Sequence, residues 1–208
     1  MVRPLLFFFL LVSFTVHAQT GVFVDDRDQQ AYKTIVINGK TWFRENLRFQ
    51  TSRSFCPNFN KDSSDCKDGN YYSNSELSSV CPRGWHVATI DEWDNLLKKL
   101  FRENNINGGV LKYDTSKIKD NFGITLPKNA LFSDTLLNLV PTGWVEGAFL
   151  KKNGALSVWA VDTETRDDKY HFHFGPTGLV KHSHEHNILD KPRRVRKFGV
   201  RCVCELVQ

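Results

Sequence analysis

Apolar and polar positions along this chain follow two different periods. Between Lys33 and Phe43, Lys33-Thr-Ile-Val-Ile37 and Thr41-Trp42-Phe43 alternate β-branched or aromatic residues with polar ones around Asn38-Gly39. Asn-Gly suits the positive-φ turn of a two-residue hairpin, so these residues predict two antiparallel strands. From residue 89 the period lengthens. Ile90, Trp93, Leu96, Leu97, Leu100 and Phe101 lie on one stripe at helical spacing. Thr89 and Glu92 match a capping box at its start, and Asn104 to Gly109 stops it. A shorter helix is expected over Asn74 to Ser79. Past Gly109, turn residues separate short runs: Leu136 to Val140, Gly143-Trp144, Ala155 to Val161, Lys169 to Phe174, Gly178 to His182 and Phe198 to Val203. These predict antiparallel strands with long loops. Val22 to Asp28 reads as an acidic turn, and Thr51 to Asn70 as a polar loop with Cys56 and Cys66 at its sides. Helices in the first half and strands in the second predict an α+β class.

The first residues change the picture of where the protein works. Arg3 precedes an almost unbroken apolar run from Leu5 to Val16, and Val16-His17-Ala18 forms a small-residue exit before Gln19. This predicts a signal peptide over residues 1–18 and a single domain over 19–208. A run of about a dozen residues is shorter than the roughly 20 needed to span a bilayer. The expected location is outside the cytoplasm: periplasm, cell surface or extracellular space. At 40% hydrophobic and 12% aromatic residues over its whole length, the chain is too apolar to stay disordered. The net charge of +5 is mild, and nucleic acid is not an expected partner of an exported chain. Five cysteines, at 56, 66, 81, 202 and 204, lack the CxxC spacing of a zinc site. Five is odd, so at least one thiol is left over or pairs between chains.

Three stretches in order resemble a known family. Asp25-Asp26-Arg27-Asp28 through Tyr32-Lys33-Thr34, with Val36 to Trp42 and Glu45-Asn46-Leu47, resembles the opening of the Fibrobacter succinogenes major paralogous domain. Cys81-Pro82-Arg83-Gly84-Trp85-His86 with Thr89 to Trp93 resembles its central signature, although Val87-Ala88 replaces the usual Leu-Pro. Phe198 to Val203 resembles its closing strand. The central and closing stretches are also similar to formylglycine-generating-enzyme-like domains. The resemblance implies one C-type-lectin-like domain with a main amphipathic helix, a shorter helix, antiparallel strands and long loops, stapled by disulfides. It implies the pairs Cys56–Cys66 and Cys81–Cys202, the second stabilising by a little under about 5 kcal/mol on the chain-entropy model. Cys204 stands where the family has a polar residue. On a strand it shares a face with Cys202, so either can reach Cys81 and the other is left. A Cys204-linked dimer or a mixed disulfide with an envelope protein is expected, against the alternative of a buried, inert thiol. Formylglycine-generating enzymes hold copper with paired cysteines, which a Cys202 already in a disulfide does not reproduce.

Trp85 and Trp93 are expected to anchor the core, with His86 structural. His171, His173, His182, His184 and His186 alternate along two predicted strands, so facing histidines can chelate zinc, nickel or copper, or line a solvated face. Such a site is the one cofactor expected, a divalent metal. Asp162, Glu164, Asp167 and Asp168 form either a calcium-binding loop or a plain acidic one. Lys191, Arg193, Arg194, Arg196 and Lys197 read as a solvated basic loop able to meet an anionic surface polymer. The function expected is a non-catalytic recognition or adhesion module that binds a glycan, protein or envelope component through loops between about 140 and 197. A structural accessory subunit of an envelope complex is the first alternative. The second is a degenerate formylglycine-generating-type oxidase.

Overall fold

The computed structural model describes residues 19–56, 66–103, 137–140, 142–147, 149–151, 156–162, 169–175, 178–183 and 195–206, with the backbone alone at 98–103, 169–170, 174–175 and 178–183. The expected leader, 1–18, lies outside them. The described fold is mostly antiparallel β with one helix, and two disulfides cross-link it.

A five-stranded sheet is built from β1 (Thr20–Val24), β2 (Ala31–Ile37), β3 (Lys40–Phe43), β4 (His86–Val87) and β11 (Cys202–Glu205), in the order β1-β2-β3-β11-β4. The β2–β3 hairpin turns at Asn38 and Gly39, with φ of 53° and 73°. Both central residues of such a turn need positive φ, which Asn and Gly supply at little cost. β1 takes Val22 to Val24 out of the expected acidic turn, which the structure keeps at Asp26 to Asp28. Only Phe23 of this edge strand reaches the core, while Val22 and Val24 stay exposed, so its alternation is weak as a sequence signal.

The helix α1 (Ile90–Glu103) begins at the predicted capping box. The Thr89 amide donates to Glu92 Oε2 at 2.8 Å, and the Glu92 amide to Thr89 Oγ1 at 3.2 Å. The expected second helix is a single 3₁₀ turn, Asn74–Glu76, where the Ser73 amide and hydroxyl both donate to the Glu76 carboxylate. Residues 137–140 are not a strand as expected, although Leu137 and Leu139 are buried.

Two three-stranded sheets complete the description. One orders β10 (Arg196–Lys197), β5 (Trp144–Glu146) and β6 (Phe149–Lys151). The other orders β7 (Leu156–Val161), β8 (Lys169–Gly175) and β9 (Gly178–Ser183). Arg196 and Lys197 therefore belong to a strand paired with β5, not to the expected solvated loop.

Strand alternation divides the core in two. Ile35, Trp42, Val203, Val158, Ala160 and Phe172 pack with Trp93, Leu96 and Leu97 of α1. Phe43, Cys202 and Trp159, each the sequence neighbour of one of those, join Tyr32, Tyr72 and Phe198 in a second cluster. Trp85 is partly buried against that cluster, within 4.4 Å of the Phe43 ring.

Candidate functional site

The two clusters are tied together by a buried cation. Arg201 has no exposed surface. Its Nε donates to Asn46 Oδ1 at 2.9 Å, and its two terminal nitrogens donate to the carbonyls of Phe43, Leu137 and Asn138. Burial pulls its pKa down, to about 9, which still leaves it charged at neutral pH. Asn46 Nδ2 passes the connection on to the Asp68 carbonyl. Next to it Gly69 adopts φ of 107°, where an added Cβ would stand 2.4 Å from Asn46 Cβ. This hub joins the Glu45-Asn46-Leu47 stretch, the last strand and the residues before β5.

The cysteines fall into three settings. Cys56 is joined to Cys66 and Cys81 to Cys202, with Cα separations of 5.6 and 5.9 Å. Cys204 is free and half-buried, opposite Thr41 on β3. Burial raises its pKa, outweighing a hydrogen bond with Thr41, and so lowers its thiolate fraction.

His171 and His173 do share a face of β8, but that face is not the solvated exterior. His171 is fully buried, stacked on Phe198 with ring centroids 4.1 Å apart and edge-on to Trp159. His173 is half-buried beside Trp144, with centroids 5.2 Å apart. The two Nε2 atoms stand 2.9 Å apart, and His173 Nδ1 is hydrogen-bonded to Ser157 Oγ. Cross-strand register opposes His171 to Trp159 on one side and residue 182, also a histidine, on the other. Because Ser157 is itself fully buried, its hydroxyl is not placed to attack a substrate. His184 and His186 lie outside the described residues, as do Glu164, Asp167, Asp168, Lys191, Arg193 and Arg194. Of the expected calcium set, Asp162 alone is described, half-buried just past β7. Among the described side chains, no three metal-ligating groups converge.

Next to the histidine pair lies a surface that the pattern of residues did not announce. The β5–β6 register sets Trp144 opposite Lys151 and Glu146 opposite Phe149, while β10 sets Arg196 opposite Glu146. All five residues therefore share one sheet face. Phe149 is 72% exposed, while Trp144, partly buried against the second core cluster, reaches toward His173. The legible signal was Gly147, with φ of 62°, between the short runs Trp144-Val-Glu146 and Phe149-Leu-Lys151. Glycine at the first position of a two-residue loop marks a hairpin.

His86 acts locally. Its Nε2 lies 2.8 Å from Glu92 Oε1, beside Lys40 Nζ at 3.1 Å from the same oxygen. Burial pushes the Glu92 carboxyl up, but His86, the Thr89 amide and Lys40 outweigh it and hold the pKa at about 2.

The family model described as the Fibrobacter succinogenes major domain matches residues 35–204. The chain belongs to that family. No curated protein and no solved structure matches it.

Proposed function

We propose that this member of the Fibrobacter succinogenes major domain family is an exported, non-catalytic recognition module with a C-type-lectin-like fold. It binds a surface glycan or envelope protein through the β10-β5-β6 face. Phe149 is the observation that carries this reading. An aromatic ring left 72% exposed on an outer strand of its sheet keeps most of its apolar surface in water, where burial against a partner would be favourable. Beside it on the same face stand Trp144, Glu146, Lys151 and Arg196, a mixture of flat apolar surface and charged hydrogen-bonding groups. Pyranose rings present apolar C–H faces ringed by hydroxyls, and exposed protein segments present the same two kinds of surface.

The compartment is supported by two disulfides, which persist in oxidising environments, and no described helix is long and apolar enough to cross a membrane. The oxidase alternative would need two free thiolates for copper. Four of the five cysteines are consumed in disulfides, which weighs against it. The test is capture of envelope components by immobilised protein, compared with the Phe149→Ala variant. Capture by the parent that falls at least about tenfold in the variant, at unchanged melting temperature, is the expected result; a loss of about 1.4 kcal/mol or more fits a central aromatic contact. Equal capture by both proteins would remove this face from the reading.

A further inference from the structure

The paired imidazoles bring two metal-ligating nitrogens together in a hydrogen bond. Both rings come from one face of β8, and their Nε2 atoms are 2.9 Å apart with the ring planes at 87°. That spacing is the length of the hydrogen bond joining them, and it is also close to the about 2.9 Å between two nitrogens bound at about 2.05 Å to one ion at a right angle, whereas a tetrahedral ion would need about 3.3 Å. His173 is also oriented from behind. Ser157 Oγ sits on its Nδ1, as outer-shell groups do on ligating histidines, fixing the ring so that Nε2 faces the ion. His171 is locked by its stack on Phe198. His173 and Trp144 beside it are both half-buried, and residue 182 stands at the register position across from His171.

We propose that His171 and His173 bind one divalent late transition ion of tetragonal preference, copper or nickel, through their Nε2 atoms. Each ring then carries its proton on Nδ1, and for His173 that proton is the one Ser157 accepts. The pair's net charge is unchanged, because the hydrogen bridging the two Nε2 atoms moves to the far side of its own ring. The assignment does not rest on the reading of the Phe149 face, although Trp144 borders both, and the metal titration and the Phe149→Ala capture experiment can fail separately.

The experiment titrates the purified, oxidised full chain with copper(II) and nickel(II) by calorimetry. Electron paramagnetic resonance of the copper-loaded protein accompanies it. One equivalent of copper, with hyperfine splitting from nitrogen donors, is expected for the parent. His173→Ala, at a half-buried position, should abolish this binding. Ser157→Ala keeps both imidazoles and should weaken it about 10–100-fold. It also serves as the second variant if the first does not fold. Absence of a stoichiometric site in the parent overturns the assignment, as does either variant binding as tightly as the parent.

Discussion

At the scale of single residues, burying a guanidinium costs several kcal/mol unless its donors are met. Arg201 meets that demand with one side-chain amide and three backbone carbonyls, and among the described residues it forms no ion pair. Carbonyls at Phe43, Leu137 and Asn138 radiate around the planar fork, which a lysine's single ammonium cannot reproduce. Arg201→Lys should therefore lose about 2–4 kcal/mol, seen as a lower urea midpoint at unchanged slope. A loss below about 0.5 kcal/mol would mean that the acceptors find other donors.

At the scale of elements, α1 depends on its first turn. Glu92 accepts from the Thr89 amide, His86 and Lys40 at once. Glu92→Gln keeps an acceptor for the Thr89 amide but loses the charge that faces Lys40 and His86, and should cost about 1–2 kcal/mol at neutral pH. The acid limb has a defined sign. A carboxyl held at about 2 in the folded chain, against 4.5 ordinarily, contributes stability that is complete above 4.5. That contribution is lost as pH falls from 4.5 toward 2. Denaturation curves across that window should fall more steeply for the parent than for Glu92→Gln. Parallel curves would show that Glu92 is not the group responsible.

At the scale of the whole molecule, the legible parts are those whose local chemistry and tertiary role agree. The Asn38-Gly39 turn and the Thr89–Glu92 cap are complete within a few residues, and both appear where the pattern placed them. β1 was hidden because an edge strand needs only one inward residue, Phe23, to dock. β10 was hidden because Arg196 and Lys197 gain their conformation from pairing with β5, not from their own propensity. The same division holds for the candidate site. His171 and His173 could be put on one face by alternation, but nothing local says that Phe198, about 25 residues later, would cover them. The three stretches that carry the family resemblance meet around Arg201, Asn46 and the Cys81–Cys202 bridge. They specify the scaffold, whereas Phe149 and its neighbours lie outside them.

The free thiol has a kinetic side. Cys81 must find Cys202 across 121 residues, and Cys204 waits two residues away on the same strand face. A strand slipped by two keeps every side chain on its proper face, so hydrophobic alternation does not penalise the error. What penalises it is Arg201, which such a slip would carry about 6–7 Å from Asn46. The chain thus has a decoy partner during oxidation and a buried cation that rejects the decoy only once the core has closed. Such errors are corrected by thiol exchange, over seconds to hours. Refolding of reduced protein in a glutathione buffer should therefore be faster and cleaner for Cys204→Ser. Acid-quenched intermediates of the parent should contain a Cys81–Cys204 peptide. Identical refolding traces without that peptide would show that the strand finds its register before its sulfurs meet.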